Sequence, residues 1–464
     1  MKVIDWFRPG MRIKRWLFLG IGGVASISFG LSFLLKTIYM SLIEKVLAFF
    51  LILSGFVFIF ISVKYLVQTF FQAISSTGFK VSLDADRLSN LLYEKRILIK
   101  GPKIVAVGGG TGLSTMLRGL KNFSSNITAI VTVADDGGGS GMLRSDLGML
   151  PPGDIRNCIL ALADTEPIMQ KLLQYRFPEG VLKGQSFGNL FLAAMDGISS
   201  SFEEAVRKMS NVLAVTGHVL PVTLEDVQLC AELEDGYTIC GESKIGKHNT
   251  FHSGRISKVF LEPSNVKPLQ ESIDAIREAD IIVLGPGSLY TSVIPNLLVE
   301  GICEAIKESS AIKVYVCNIM AQPGETDDYT VYEHINAIER HTYKGIVNYC
   351  IVNTAEVPEE IREIYLDDGA EVAVLDIDNI NKAGIHIIGS DILGVTGNFV
   401  RHDPSKLAEV IVNLVAEKVL AMDKKRTIDY YYVKDRLAAR TGEKSESKEK
   451  GRIKFWDRFR FFKG

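Results

Sequence analysis

A glycine-rich turn after a short apolar run is the first part of this chain whose residue types and spacing could do chemistry. The run Ile104 to Val107 leads into Gly108-Gly109-Gly110-Thr111-Gly112, and a helical pattern starts at Leu113. Glycines at a strand-to-helix turn let backbone N–H groups approach a phosphate, and the helix N-terminus adds partial positive charge. No Lys-Ser/Thr follows, so this is not a Walker loop, and the spacing differs from strict G-x-G-x-x-G. The turn predicts phosphate contact by Gly109, Gly110, Thr111 and Gly112.

A pair of carboxylates follows the next apolar run, Ile127 to Val133. Asp135 and Asp136 come just after this run and before Gly137-Gly138-Gly139. Open parallel sheets bind ligands at the carboxyl ends of their strands. The pair could accept ribose hydroxyls or hold a divalent cation, Mg²⁺, that bridges phosphates. A solvated turn is the structural alternative.

Two further polar turns each open a predicted helix. In Leu150-Pro-Pro-Gly-Asp-Ile-Arg-Asn157, Asp154 is expected to cap the helix, whereas Arg156 and Asn157 lie in its first turn. A cation is disfavoured there unless an anion offsets it, which favours a bound phosphate. The turn Gly184-Gln-Ser-Phe-Gly-Asn189 adds Ser186 and Asn189 as candidate ligand-binding residues.

A second phosphate-type loop follows the run Ile281 to Leu284. Its sequence is Gly285-Pro-Gly-Ser-Leu-Tyr-Thr-Ser292, with the candidates Gly287, Ser288, Tyr290 and Thr291. Two such loops on one sheet suggest a ligand with more than one phosphate, or with a sugar at one end. Asn318 follows the run Val314 to Val316 in a similar polar turn. The seven histidines show no HxH or HExxH spacing, so a catalytic zinc site is not expected, and no catalytic residue is assigned.

The elements that must position these residues alternate between short apolar runs and helical patterns. Strands are predicted at Ile104 to Val107, Ile127 to Val133, Ile281 to Leu284, Val314 to Val316, Ile346 to Val352 and Val372 to Leu375. Helices are predicted at Leu113 to Leu120, Ile155 to Leu162, Phe202 to Val212 and Tyr329 to Arg340. This alternation predicts an α/β fold with a Rossmann-like parallel sheet and helices on both faces. Val227 to Cys240, with Asp235-Gly236 at its centre, predicts a β-hairpin.

Two long apolar runs precede this domain. Trp16 to Leu35 and Val46 to Val63 carry no charge, and each is long enough to cross a bilayer as a helix. A cleaved signal peptide fits poorly, because no small-residue cleavage site stands out and a second span follows at once. The segment before them is rich in Lys and Arg, whereas the connecting loop has only Lys36 and Lys45. The positive-inside rule therefore predicts that both ends of this transmembrane hairpin face the cytoplasm.

The cysteines and the end of the chain agree with a cytoplasmic domain at a membrane. None of the six cysteines forms a CxxC pair, so all six are expected to be reduced core residues. Thr441 to Lys450 is polar and charged, which predicts a disordered linker. Arg452 to Gly464 interleaves aromatic and basic residues, which is typical of an interfacial membrane anchor, with packing on its own domain as the alternative. Net charge is −2 and no long basic stripe is present, so no nucleic-acid partner is expected.

Five of these segments, in order, resemble the YvcK family of bacterial proteins. They are Val107 to Ser114, Val131 to Gly141, Leu150 to Asn157, Ser186 to Leu190 and Gly285 to Ser292. The family members are also called gluconeogenesis factors and belong to the superfamily of the CofD phospholactate transferase. The similarity covers about Lys103 to Ala421. The hairpin and the aromatic tail resemble the long, membrane-bound members.

The resemblance implies a domain that binds UDP-N-acetylglucosamine and a role in cell-wall synthesis and cell shape during gluconeogenic growth. Family ligand residues fall on Tyr365 and Arg401, and an arginine suits a diphosphate because its guanidinium forks onto phosphate oxygens. Kinase-regulated relatives carry a threonine where this chain has Pro404, so phosphorylation at that position is not expected. Expected partners are a UDP-sugar or related nucleotide, the membrane, cell-wall synthesis proteins and further copies of the chain.

The predicted domain plan has five parts: a basic cytoplasmic leader, a transmembrane hairpin, a connector, a CofD/YvcK-like nucleotide-binding domain, and a linker with a basic aromatic tail. Their ranges are residues 1–15, 16–66, 67–100, 101–424 and 425–464. Two functions remain open at this point. The chain could be a non-catalytic regulator that senses a UDP-sugar, or a CofD-like transferase that moves a phosphoryl-containing group from a nucleotide.

Overall fold

A computed structural model of the chain describes residues 13–36, 42–75, 98–247, 254–367 and 369–441. The chain divides into two compact units, Met1–Tyr93 and Glu94–Gly464, and each is described by itself. Most of the connector and the predicted aromatic tail lie outside the described residues.

The first unit contains two apolar helices, α1 (Ile13–Lys36) and α2 (Leu42–Ser75). Their central parts, Arg15–Leu34 and Lys45–Val67, are long and apolar enough to cross a membrane. Small residues face each other where the two helices meet. A Cβ atom added at Gly23 would lie 2.8 Å from the carbonyl oxygen of Gly55, so glycine lets the two backbones approach closely. The prediction of two helices of spanning length is confirmed.

Within its described residues, the second unit has twelve strands, which the structure places in three sheets. The strands are β1 (Ile104–Gly108), β2 (Ile127–Val131), β3 (His218–Pro221), β4 (Gln228–Leu233), β5 (Thr238–Cys240), β6 (Ile256–Glu262), β7 (Ile281–Leu284), β8 (Ile312–Val316), β9 (Tyr349–Asn353), β10 (His386–Ser390), β11 (Leu393–Thr396) and β12 (Phe399–His402).

The helices of this unit connect and cover the strands. They are α3 (Gly110–Leu120), α4 (Gly138–Leu147), α5 (Gly153–Leu162), α6 (Pro167–Gln174), α7 (Phe187–Gly197), α8 (Phe202–Val212), α9 (Glu242–Ile245), α10 (Gln270–Glu278), α11 (Ile294–Leu297), α12 (Ile302–Glu308), α13 (Val331–His341), α14 (Glu359–Asp367), α15 (Ile377–Lys382), α16 (Pro404–Val415) and α17 (Thr427–Thr441). The domain thus continues past the predicted boundary at residue 424, because Val433 and Leu437 of α17 are buried.

Seven strands form one parallel sheet in the order β10-β9-β8-β7-β1-β2-β3. The central strands are buried along their whole length, which explains their continuous apolar sequences. The predicted α/β fold with a parallel sheet is confirmed. The predicted strand Val372 to Leu375 is wrong: Val372 and Val374 make only isolated bridges, and Val374 is 60% exposed.

The predicted hairpin is confirmed in a separate antiparallel sheet, where β4 pairs with β5 and β6. The expectation of six reduced cysteines is wrong for one pair, because Cys230 and Cys240 form a disulfide. The hairpin register sets these residues directly opposite each other, with Cα atoms 4.0 Å apart. This pairing depends on strand register, which the ten-residue separation along the chain does not reveal.

The strand order reverses direction at β1. From β1 the chain builds outward through β2 to β3, and it later returns to the other side of β1 with β7 and continues to β10. Loops after β1 and β7 therefore leave the same edge of the sheet in opposite directions. Such a topological switch point is where open α/β sheets form their ligand crevice.

Candidate functional site

A cleft of about 470 Å³ lies at this switch point. Its walls come from the loops after β1, β7 and β8, from α14 and the turn after it, and from β12. We call it the switch-point cleft, and its lining residues are Gly110, Thr111, Gly112, Pro286, Gly287, Ser288, Ser292, Asn318, Ile319, Met320, Ala321, Gln322, Pro323, Tyr365, Ala370, Val400, Arg401 and His402.

The first glycine loop enters the cleft at the start of α3. Gly110 has a φ of +66°, a conformation that favours glycine. A Cβ atom at Gly112 would lie 2.6 Å from the carbonyl oxygen of Pro286, so only glycine allows the two loops to approach this closely. The first turn of a helix also has backbone N–H groups without intrahelical acceptors. The loop can therefore present N–H groups to an anion in the cleft.

The loop after β7 faces the first loop across the cleft. Asn318, which follows β8, donates from Nδ2 to the carbonyl oxygen of Gly287 over 2.9 Å. Ser288 donates from Oγ to Oε1 of Gln322 over 2.6 Å. These hydrogen bonds fix the β7 loop to the β8 loop, so both loops present a defined polar surface.

The far wall of the cleft carries the one exposed cation among its lining residues, Arg401. Its guanidinium lies 5.4 Å from the centre of the Phe399 ring and donates to the carbonyl oxygen of Val400 over 3.0 Å. Tyr365 accepts a hydrogen bond at its hydroxyl from the N–H of Val400, also over 3.0 Å. An arginine on the wall opposite a helix N-terminus is suited to a ligand with two anionic groups.

His402 is the cleft's imidazole, but it is turned toward the protein. Its Nε2 lies 3.2 Å from the carbonyl oxygen of Cys317, and burial lowers the pKa of His402 to about 4. At neutral pH the ring is therefore uncharged and donates to that carbonyl.

Four carboxyl groups form what we call the acidic cluster, next to the first glycine loop: Asp135, Asp136, Asp154 and Glu242. Asp154 is not the helix cap expected from the sequence, because Pro152 occupies the N-cap of α5. Instead its Oδ2 accepts the N–H of Gly110 over 2.7 Å. Asp135 accepts from Gly137, and Asp136 accepts from the N–H of Ser243 over 2.8 Å.

Burial and repulsion from neighbouring carboxylates raise the pKa values of two members of this cluster, Asp154 and Glu242. Burial, then the charge of Asp135, raises the pKa of Asp154 to about 6. Burial raises the pKa of Glu242 to about 8, with further contributions from Asp135, Glu325 and the other two aspartates. A positive charge placed here would lower both pKa values.

The residues of the cluster suit Mg²⁺, which binds through one or two carboxylates and completes its shell with water and phosphate oxygens. Within the described residues, the acids do not bring three ligand atoms within 4.8 Å of one another. The group that does so is Cys230, Cys240 and Glu262, whose two sulfurs are joined in the disulfide.

Arg156 is buried beside its sequence neighbours rather than in the cleft wall. It donates to Oγ of Ser186 over 2.6 Å and to Oδ1 of Asn157 over 2.8 Å. Ser186 is the N-cap of α7 and accepts the N–H of Asn189. Burial, then the charge of Arg176, lowers the pKa of Arg156 to about 10. This set joins α5 to α7, and no member of it lines the switch-point cleft.

The structure thus brings about half of the predicted site residues together in the cleft: Gly110, Thr111, Gly112, Gly287, Ser288, Asn318, Tyr365 and Arg401. Gly109 lies just behind the first loop as the N-cap of α3. Tyr290 and Thr291 are buried and face inward: Tyr290 hydrogen-bonds the Tyr329 hydroxyl and Thr291 donates to Glu325.

Several residues of the site were missed from the sequence. Gln322 lines the cleft, and Glu325 lies behind it and accepts from Gln322. Both follow Asn318 in the same polar turn, so their position after a strand was the available signal. Glu242 reaches the acidic cluster from α9, the short helix that follows β5, and no local pattern indicates that.

Comparison with known proteins identifies the family. The family model described as 2-phospho-L-lactate transferase CofD matches residues 104–393. The gluconeogenesis factor of Bacillus subtilis is 48% identical over 317 residues, which are 68% of this chain and 99% of that protein. A Clostridium acetobutylicum protein, also described as a gluconeogenesis factor, is 52% identical over 97% of this chain and 100% of its own length. The chain belongs to the gluconeogenesis factor family, whose sheet domain is CofD-like.

A solved member of the gluconeogenesis factor family has the same domain. The crystal structure of a Bacillus halodurans protein matches with a TM-score of 0.65 and 47% identity, covering 67% of this chain and 99% of that one. The CofD match ends at the first residue of β11, so Arg401 lies just beyond it.

Proposed function

We propose that the switch-point cleft binds UDP-N-acetylglucosamine. The observation that carries this proposal is the pairing of the α3 N-terminus and its glycine loop with Arg401 on the facing wall. A diphosphate needs N–H donors and a cation at the same time, and a helix N-terminus and an arginine supply them. The cleft's volume of about 470 Å³ is within the range of small-molecule sites.

We further propose that the chain is a regulator which reports this nucleotide sugar to cell-wall synthesis and cell shape during gluconeogenic growth. The names of its relatives support the link to gluconeogenesis.

Transferase activity is the second candidate, and the acidic cluster favours it. Asp135 and Asp136 would hold Mg²⁺, which would neutralise charge on a transferring phosphoryl group. Asp154 would then bring a carboxylate to the same edge of the glycine loop through its bond to Gly110. The two candidates differ in whether ligand binding depends on the metal and on Asp136.

We also propose that α1 and α2 span the cell membrane and place the sheet domain in the cytoplasm. Their length and apolar composition support this location. The excess of Lys and Arg before α1 supports the orientation.

Calorimetry on the purified full chain in detergent tests the ligand. We expect UDP-N-acetylglucosamine to bind, and NAD and GDP to bind at least tenfold more weakly. Arg401→Ala removes a charge-assisted hydrogen bond, which is worth about 1.5–3 kcal/mol and corresponds to a roughly ten- to hundred-fold loss of affinity. Gly110→Val should abolish binding, because a β-branched residue is strained at this positive φ and obstructs the phosphate approach.

The matched control is Lys406→Ala, which removes an exposed cation outside the cleft that pairs with Asp391. It should bind the ligand as the unaltered chain does. Asp136→Asn then separates the two candidate functions: a loss of affinity only in the presence of Mg²⁺ favours the transferase. Unchanged binding in Arg401→Ala and in Gly110→Val would mean that the ligand lies elsewhere.

A further inference from the structure

Behind the β7 loop lies a short chain of hydrogen bonds whose direction is fixed by a carboxylate. Glu325 is 3% exposed and accepts at Oε1 from Nε2 of Gln322 over 2.6 Å. The same oxygen accepts from the Thr291 hydroxyl over 2.9 Å, and Oε2 accepts from the N–H of Tyr290 over 3.2 Å. Three donors therefore converge on one buried carboxylate, whose two oxygens act as acceptors in all three contacts.

The carboxylate decides which way the Gln322 amide points. A carboxylate oxygen at 2.6 Å accepts only from the NH₂ end of the amide, so Oε1 of Gln322 must point toward Ser288. The oxygen of Gln322 accepts, and Ser288 Oγ lies 2.6 Å from it. Ser288 must therefore use its one hydroxyl proton in this bond.

This leaves Ser288 with only lone pairs for a ligand. Ser288 and Gln322 both line the switch-point cleft, so these lone pairs are available there. A phosphate oxygen is itself an acceptor and gains nothing from another acceptor. A sugar hydroxyl or an amide N–H is a donor and fits. By sequence, the β7 loop resembles the first glycine loop and was expected to donate hydrogen bonds to a phosphate. At Ser288 it instead offers the ligand a hydrogen-bond acceptor.

We propose that Ser288 reads a hydrogen-bond donor on the sugar half of the ligand, and that Glu325, acting through Gln322, is the positioning residue that sets this polarity. The inference rests on the proposed nucleotide-sugar function and assigns the two ends of the cleft. Phosphates lie at Gly110–Gly112, and the sugar lies at Ser288.

Binding of two probes to the full chain in detergent tests the assignment. Ser288→Ala should lower affinity for UDP-N-acetylglucosamine by about five- to twenty-fold and change affinity for UDP less than twofold, since UDP lacks the N-acetylglucosamine group. Analogues in which fluorine replaces one sugar hydroxyl keep an acceptor but lose the donor. One such analogue should bind the unaltered chain about tenfold more weakly, and should lose no further affinity in Ser288→Ala.

Glu325→Gln tests the polarity itself. Glutamine at this position can donate to Oε1 of Gln322, which lets the Gln322 amide turn its NH₂ end toward Ser288 and frees the Ser288 proton for a ligand acceptor. In Glu325→Gln the fluorinated analogue should then bind no more than about threefold more weakly than UDP-N-acetylglucosamine. Thr291→Val is the matched control, because it removes one donor to the same carboxylate oxygen and leaves the Gln322 orientation unchanged. Thr291→Val should still bind the fluorinated analogue about tenfold more weakly than UDP-N-acetylglucosamine.

A measurement without ligand separates this inference from the proposed function. The ¹⁵N side-chain amide signal of Gln322, assigned by its loss in Gln322→Leu, should show slow proton exchange that Glu325→Gln accelerates at least tenfold. If the unaltered chain binds neither probe but the Gln322 amide exchanges slowly, the proposed nucleotide-sugar ligand is wrong. The inferred hydrogen-bond direction from Ser288 to Gln322 is then still supported. A Gln322 amide that exchanges as fast as a surface glutamine, or an equal loss of UDP and UDP-N-acetylglucosamine in Ser288→Ala, overturns the inference.

Discussion

At the scale of single residues, the acidic cluster couples the charge state of the site to pH. Asp154 and Glu242 carry raised pKa values because they are buried among other carboxylates. A carboxyl group whose pKa is higher in the folded state binds more protons there than in the unfolded chain. Its stabilising contribution is therefore complete below the unfolded pKa and is lost as pH rises through the folded pKa.

For Glu242 this window runs from its ordinary pKa of 4.5 up to about 8. The unfolding free energy of the unaltered chain should fall across it, as Glu242 is forced to ionise. Glu242→Gln keeps the shape and removes the titration, so the variant should match the unaltered chain at pH 5. At pH 8.5 it should be more stable by about 1–2 kcal/mol, after discounting for the partial exposure of the group.

Urea unfolding at pH 5, 7 and 8.5 measures this difference. Glu179→Gln changes an exposed carboxyl in a surface bend and serves as the control, with no pH-dependent gain expected. Mg²⁺ at pH 8.5 should stabilise the unaltered chain more than Glu242→Gln, if the cluster holds a cation. If the stability difference between the unaltered chain and Glu242→Gln is the same at every pH, the titration of Glu242 does not cause the pH dependence of stability.

At the residue scale the sequence predicts the glycine loops well and the side chains around them only in part. Gly110, Ser288 and Arg401 reach the cleft as expected. Arg156 instead bonds Ser186 and Asn157, because its long side chain folds back to the N-cap of the neighbouring helix. A residue's direction depends on packing between elements, which local sequence does not contain.

At the scale of elements, the position of Arg401 depends on how α16 packs on α3. α16 begins at Pro404, three residues after Arg401, and α3 begins at the glycine loop. The two helices touch at Gly119, where an added Cβ would lie 1.8 Å from the carbonyl oxygen of Pro404. This glycine therefore allows the start of α16, which follows the Arg401 strand, to lie close against α3.

Gly119→Ala should push the start of α16 away from α3. We expect a loss of stability of about 1–3 kcal/mol from overpacking, together with weaker nucleotide binding because Arg401 moves with α16. The control is Gly197→Ala at the end of α7, where an added Cβ meets no atom within 4 Å. Thermal unfolding and calorimetry of both variants check this, and a stable Gly119→Ala with full affinity would contradict it.

Elements with strong patterns were predicted well. α8 spans Phe202–Val212 and β7 spans Ile281–Leu284, both with the predicted bounds. The strands β11 and β12 were missed, because they form a small two-stranded hairpin with few buried residues. Val372 to Leu375 had the composition of a strand, but among the described residues it makes only isolated bridges, at Val372 and Val374. Such errors arise because strand formation depends on a partner that is distant along the chain.

At the scale of the whole molecule, the relatives differ in extent. The Bacillus subtilis relative is covered almost completely by 68% of this chain, whereas the Clostridium acetobutylicum relative aligns with 97% of it. A Bacillus halodurans relative of the shorter kind crystallised, so the sheet domain is a folding unit by itself in that protein. This chain has the two apolar helices in addition to the part that matches that protein.

The proposed topology follows from charge and length together. The leader, residues 1–15, carries Lys2, Arg8, Arg12, Lys14 and Arg15, whereas Lys36 and Lys45 flank the loop between the helices. Translocating the more basic segment is disfavoured, so the leader stays inside and the short loop crosses. Since two spans would return the chain to its starting side, the proposed topology places the sheet domain in the cytoplasm.

Cysteine labelling in intact cells tests this arrangement. A membrane-impermeant maleimide should label Ser41→Cys, in the loop, without permeabilisation. It should label Glu179→Cys, an exposed position of the sheet domain, only after permeabilisation. The unaltered chain is the control, because three of its four free cysteines are buried and the fourth is half-buried. Labelling of both positions in intact cells would contradict the orientation, and labelling of neither would contradict the crossing, since a loop that crosses must meet the reagent outside.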